Sequence, residues 1–145
     1  MQIRACGFSG WKNAEIKDII RREGKNIVYL GYLSNLELAY LYNLASVFIY
    51  ASLYEGFGIP PLEAMACGTP VIVSRSSSLP EVCADAAYYV DPLRVDSISE
   101  GMYKIFDDGA LKEELTNRGI IRAKSFSWDE SAQSHLSLFN EVLHQ

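Results

Sequence analysis

Between Ser52 and Glu63 the chain reads Ser-Leu-Tyr-Glu-Gly-Phe-Gly-Ile-Pro-Pro-Leu-Glu, and these residue types at this spacing are suited to chemistry. Gly56 and Gly58 flank Phe57, and glycine lets a backbone approach a ligand closely. Pro60 follows, where proline in a first helical turn costs nothing. A helix opening there turns its free amides, with partial positive charge behind them, toward the loop. Such amides can hold a phosphate without any lysine. The two carboxylates need other targets. Glu55 lies ahead of the helix, where it can reach a sugar hydroxyl beyond the phosphates. Glu63, placed in the first helical turn, can accept both hydrogen bonds from a ribose diol. Phosphate between a ribose and a hexose is the layout of a nucleotide sugar. On these residues alone a plainer reading stays open: Glu63 complements the helix start and the glycines make a turn.

The elements that must position this stretch follow from periodicity. Ile3 to Cys6 reads as a first strand, and Asn13 to Glu23 as a helix with Ile16, Ile19 and Ile20 on one face. Asn26 to Leu30 is a short apolar strand closed by Gly31. Ser34 and Glu37 form a capping box, and the helix it opens runs to about Ala45, apolar on most sides and so expected deep in the core. Val47 to Tyr50 is β-branched and aromatic, which predicts a strand covered on both faces. A helix from near Pro60 to about Cys67 is broken by Gly68-Thr69-Pro70, and Val71 to Val73 is a buried strand. Leu79-Pro80-Glu81 begins a turn or short helix, and Ala87 to Val90 a last strand.

From Ser97 onward the chain reads as helical. Ser97 with Glu100 and Ser127 with Glu130 suggest further capping boxes, and Gly109 separates two helices. The last helix carries Ala132, Leu136, Phe139 and Leu143 on one stripe. Strands alternating with helices predict an α/β fold, a Rossmann-like doubly wound parallel sheet with helices on both faces and a C-terminal helical tail. In such sheets ligands bind outside the carboxyl ends of the strands, which is where Ser52 to Gly58 falls.

Composition narrows the function classes. The chain has 145 residues, enough for one domain with a core, and a net charge of −5 without a dense basic cluster. Nucleic-acid binding needs a concentrated basic footprint, so no nucleic-acid partner is expected. No apolar run approaches the ~18–20 residues that span a bilayer. Cys6, Cys67 and Cys83 are odd in number and lack a CxxC, which suits free thiols in a cytoplasmic setting better than disulfides or zinc. His135 and His144 lie apart from any ligand cluster and are expected at the surface, so neither metal nor cofactor is expected. Gly7-Phe8-Ser9-Gly10 lacks the dinucleotide-binding spacing, and no phosphate-loop lysine occurs.

Glu55 and Glu63, with seven residues between them, match the E-x7-E motif of the family 4 (group 1) glycosyltransferases. The run from Ser52 to Ile72 resembles that family residue after residue. Ser78-Leu-Pro-Glu-Val, Asp85-Ala-Ala, Val90-Asp-Pro, Gly31-Tyr32 and Phe126-Ser-Trp stand in the matching places, so the resemblance covers nearly the whole chain. It implies a retaining enzyme of mannosyl-, glucosyl- or galactosyltransferase type with the two-domain GT-B fold, in which residues 1–145 form the C-terminal, nucleotide-sugar-binding domain.

Position by position, the resemblance makes Glu55 the catalytic candidate facing the transferred sugar. Gly56, Phe57 and Gly58 match the loop whose amides meet the diphosphate. Glu63 matches the ribose binder, with Leu62 beside it against the nucleoside, and Tyr32 and Leu33 stand where the base contacts backbone. The implied partner is a UDP-, GDP- or ADP-linked sugar, bound without metal. The family pairs this domain with an N-terminal acceptor domain, and an arginine and a lysine clasp the diphosphate ahead of the strand at Ile3. Neither feature is found here, which predicts a truncated domain with weak activity, peripheral to a membrane in the full-length enzyme. Its C-terminal stripe suits docking on that other domain or self-association. The alternative is a non-catalytic nucleotide-sugar-binding or interaction module.

Several side chains have plain expected roles. Cys67 reads as a small buried filler and Trp128 as a packing residue. Trp11 is expected to cover the following helix, and Arg75 to form a surface ion pair or touch phosphate. Ser76, Ser77 and Ser78 could hydrogen-bond a ligand.

Overall fold

A computed structural model describes residues 2–7 and 14–144; Trp11 and the Phe8–Gly10 segment lie outside the described residues. Two compact units divide the chain, Met1–Leu41 and Tyr42–Gln145. In the first, β1 (Ile3–Cys6) pairs in parallel with β2 (Ile27–Gly31), with α1 (Ala14–Arg22) between them. The register shifts between Ala5 and Cys6, and Tyr29 donates its hydroxyl to the Gly7 carbonyl at 2.7 Å. Helix α2 (Asn35–Leu44) opens on the expected capping box: Ser34 N donates to Glu37 Oε2 at 2.8 Å and Glu37 N to Ser34 Oγ at 3.4 Å.

The second unit holds three parallel strands in the order β3 (Phe48–Tyr50), β4 (Val71–Ser74), β5 (Ala87–Val90). Helix α3 (Ile59–Ala66) connects β3 to β4 and α4 (Leu79–Cys83) connects β4 to β5; α5 (Val95–Asp107), α6 (Gly109–Lys124) and α7 (Trp128–Leu143) follow. Four residues of β4 are fully buried, as a central parallel strand requires. Ile72, Val90, Ile105 and Leu115 form the core, with Val47, Ile49 and Met102 packed on it. Close approach of the layers depends on small residues. A Cβ at Gly101 would stand 2.9 Å from Val90, and one at Gly119 would stand 3.1 Å from Met65, so α5 meets β5 and α6 meets α3 nearly backbone to side chain.

The expected α/β class with parallel strands flanked by helices is what the chain adopts, with the ladders β1-β2 and β3-β4-β5 among the described residues. Several local expectations need correction. β3 is only half-buried because it is the edge of its sheet. Helix α2 is not deep in the core: Leu36, Tyr40 and Leu44 are exposed, and Tyr42 alone is buried. An all-round apolar helix names no face to bury, so sequence could not choose one. Ser97 does not cap a helix. Helix α5 has already begun at Val95, and the Ser97 hydroxyl instead accepts from Asp91 N at 3.0 Å. The cap that separates α5 from α6 is Asp108, whose side chain accepts from Leu111 N at 2.9 Å. Ser127 caps α7 as expected, accepting from Glu130 N at 3.3 Å, but Trp128 beside it is 81 % exposed and packs little. Cys67 is half-buried, and all three cysteines are free.

Candidate functional site

The site is built at the carboxyl ends of β3 and β4. Val71, Ile72 and Val73 are apolar and buried, but the strand ends in Ser74, equally buried and polar. Its hydroxyl needs a partner and finds the carbonyl of Ser52, where the loop after β3 begins. Ser76 Oγ donates to the same carbonyl at 3.0 Å. Ser77, held at φ 55, accepts from Glu55 N at 3.3 Å and donates to the Glu55 carbonyl. Ser78 Oγ stands 3.0 Å from the Glu55 carbonyl and 2.7 Å from that of Phe57. A hydroxyl has one proton, so Ser78 shares it between them. Together with Ser74, the three serines Ser76, Ser77 and Ser78, which could hydrogen-bond a ligand, clamp the backbone of Ser52–Phe57.

The end of the loop is set by Gly58, at φ 107, which serves as N-cap of α3. A Cβ there would come within 2.6 Å of Leu79, a fully buried residue opening α4. Gly58 is therefore required twice, by its backbone angle and by its neighbour. Gly56 differs, since a Cβ at that position would meet nothing within 4 Å. Space beside Gly56 is open.

Both carboxylates are held by tyrosines that sequence reading missed. Tyr50, last residue of β3, donates to Glu55 Oε1 at 2.7 Å. Burial, then the hydrogen bond to Glu55, then the negative charge of Glu55 push the Tyr50 phenol up to about 12, so it remains a proton donor at neutral pH. Tyr42, buried in α2, donates to Glu63 Oε2 at 3.2 Å, and its own carbonyl accepts from Thr69 Oγ1 at 2.6 Å. One hydrogen bond leaves a carboxylate ample acceptor capacity for hydroxyl groups. No short sequence signal marks these pairs, because Tyr42 and Glu63 come together from different elements.

Placement of Glu63 also changes. Helix α3 starts at Ile59, so Glu63 is its fifth residue and lies beyond the first turn, which contains no acid. A helix-start role for Glu63 therefore weakens, since that effect fades within the first turn. Pro60 and Pro61 lack N–H groups, so the amides offered at this helix start narrow to those of the loop, Gly58 and Ile59. Helix α3 closes on Gly68, at φ 77: Gly68 N donates to the Met65 carbonyl and Thr69 N to that of Ala64, both at 3.0 Å.

Other predicted residues fall as follows. Leu62 is half-buried on α3, one position before Glu63. Tyr32 and Leu33 belong to the first unit, directly after β2, with Tyr32 exposed. Arg75 forms no ion pair among the described residues; its guanidinium lies 4.7 Å over the Tyr89 ring. His135 is exposed. Among the described residues no group of three or more His, Cys, Asp or Glu could hold a metal ion, and no helix is long and apolar enough to cross a membrane.

Residues 2–122 match the profile of the family described as glycosyl transferases group 1. O-antigen chain mannosyltransferase B of Escherichia coli is 41% identical over 135 residues, which is 92% of this chain and 35% of that protein. The MMP alpha-(1->4)-mannosyltransferase of Mycolicibacterium hassiacum is 36% identical over 115 residues, 77% of this chain and 28% of that one. The chain thus spans about a third of the length of these relatives. Among solved structures, sucrose-phosphate synthase from Thermosynechococcus elongatus superposes with a TM-score of 0.86 at 26% identity, covering 99% of this chain and 39% of that one. Anabaena HepE, solved with UDP and glucose, shares the fold with a TM-score of 0.84 at 17% identity, covering 97% and 40%.

Proposed function

The chain belongs to the glycosyl transferases group 1, and on that premise we propose that it is the C-terminal, donor-binding part of a retaining, family 4 type transferase. The donor is a nucleotide-diphosphate sugar, with a mannosyl donor as first choice because the relatives are named as mannosyltransferases. Those names also favour catalysis over a non-catalytic binding module. Glu55 faces the transferred sugar. The amides of Gly56, Phe57 and Gly58 receive the diphosphate, and Glu63 takes the ribose hydroxyls with Leu62 beside it.

The observation that carries this reading is the pairing of each motif glutamate with its own tyrosine, Tyr50 with Glu55 and Tyr42 with Glu63. Exposed glutamates with a purely solvating role have no need of such partners. Held carboxylates can bind hydroxyl groups without first losing side-chain freedom, which lowers the cost of binding. As the bond to the sugar breaks, negative charge grows on the departing nucleoside diphosphate. Fixed N–H groups stabilise that charge more in the transition state than before it, which is how they accelerate the step. Glu55 orients the sugar and stabilises positive character at its anomeric carbon.

Titration of the chain with GDP-mannose, UDP-glucose and ADP-glucose, followed by NMR, tests the reading. One of them is expected to perturb the resonances of Gly56 to Glu63, and Glu63→Ala should weaken it by about tenfold or more through loss of two charge-assisted hydrogen bonds. If all three leave those resonances unmoved, the donor-site reading fails and family membership stands. Gly56→Ala sharpens the same experiment. Its side chain enters open space, so weaker donor binding with unchanged stability assigns that space to the ligand.

A further inference from the structure

Phe126 follows the C-cap of α6, and it is fixed there: Phe126 N donates to the Ala123 carbonyl at 3.2 Å, and Ser125 N to that of Arg122 at 3.0 Å. From this end the Phe126 ring meets Phe57 of the loop edge to face, 5.7 Å between centroids. On Phe126 also rests Arg122, its guanidinium 4.7 Å from the ring centre. The same guanidinium donates Nε to the Val82 carbonyl and Nη2 to that of Glu81, each at 2.8 Å, satisfying the last turn of α4. Helix α4 begins directly after Ser78, the residue that holds the carbonyls of Glu55 and Phe57. The loop is therefore gripped by its backbone from the start of α4 and by the Phe57 side chain from the end of α6. Helix α6 in turn lies against α3, which carries Glu63, at the close contact of Gly119 with Met65.

We propose that Phe126 and Arg122 are positioning residues for the donor loop: the end of α6 fixes Phe57, and with it the Gly56–Gly58 backbone, relative to Glu63 on α3. The proposal rests on the reading of this loop as the donor site. Neither residue touches donor in it; both act through Phe57 and α4. Edge-to-face pairing and a cation over the ring both depend on the aromatic face, so leucine of similar bulk does not replace it and tyrosine does.

Amide hydrogen exchange in the purified chain tests the hold directly, without ligand. In Phe126→Leu the hydrogen-bonded loop amide, Glu55 N held by Ser77 Oγ, should exchange about threefold to tenfold faster, the scale of one aromatic pair, while the amides of β4 keep their protection. Phe126→Tyr should restore the slow exchange, and Arg122→Met should reproduce part of the loss. GDP-mannose, UDP-glucose and ADP-glucose titrations on the same proteins should show weaker binding by a similar factor. Unchanged loop exchange in Phe126→Leu, or equal acceleration in the loop and β4, overturns the proposal, since the second pattern is general destabilisation. If Phe126→Leu does not fold, failure of Phe126→Tyr to match the wild-type loop overturns it as well. A loosened loop in a protein whose wild type binds none of the three nucleotides supports the grip on the loop and removes the donor reading instead.

Discussion

The loop Ser52–Phe57 and helix α7 make an instructive pair. The loop has no regular secondary structure, yet four serines and a tyrosine hold its carbonyls, one amide and its glutamate. Helix α7 is regular over 16 residues, yet none of them is buried, and Leu136, Phe139 and Leu143 are 61, 57 and 77 % exposed. Regular backbone and fixed position are thus separate properties. A helix satisfies its own amides whether or not it docks, whereas an irregular loop must find a partner for each buried group or remain mobile.

Substitutions can break or sharpen that contrast. The largest effect is expected at Gly58, where Gly58→Val adds both a forbidden backbone angle and a clash with Leu79; urea unfolding should show a loss of about 3 kcal/mol. Ser78→Ala removes the shared donor from two loop carbonyls, and should cost about 1–2 kcal/mol in the same measurement. Equal stability of Ser78→Ala and wild type would mean that the loop is not held as described.

A smaller effect appears through pH. Tyr50 and Tyr89 are both pushed up to about 12, chiefly by burial, from an ordinary value of 10.0. The folded chain keeps these protons where the unfolded chain has lost them. Stability is therefore full below about pH 10 and falls as pH rises from there toward 12. Tyr50→Phe should flatten that alkaline decline in part, with the rest due to Tyr89; an unchanged slope would refute the buried state of the Tyr50 hydroxyl. The smallest change belongs to α7. Phe139→Ser should alter unfolding by no more than about 0.5 kcal/mol, because more than half of the residue is already exposed, and a larger loss would show that the helix is docked in solution.

Legibility in the sequence followed the range of the interactions. Ser34 with Glu37, the α3 start at the prolines and its end at Gly68 are local devices, readable from a few neighbouring residues. Glu55 and Glu63 were readable because their spacing is itself a pattern. Tyr42 was not, since it reaches Glu63 across 21 positions and nothing in either segment announces the other; Tyr50 stands near Glu55 in the chain, but as the last residue of a strand it carries no local pattern that names its partner. The serines of residues 74–78 carried an ambiguous signal. Hydroxyl groups near a ligand loop can face the ligand or the loop, and only the fold decides. Ser97 shows the opposite error, a correct local pattern overruled because α5 had begun two residues earlier.

Ser74 has a wider consequence. It is as buried as the valines before it, and its hydroxyl is bound to the loop that carries Glu55. Core packing and the anchoring of the loop therefore press on the same residue. Valine would fill the space and prolong the apolar strand, but Ser52 would lose a donor and the loop its first anchor. Sequence drift that improves the core elsewhere has no such route here, so the position should resist change in a lineage even while its apolar neighbours exchange freely.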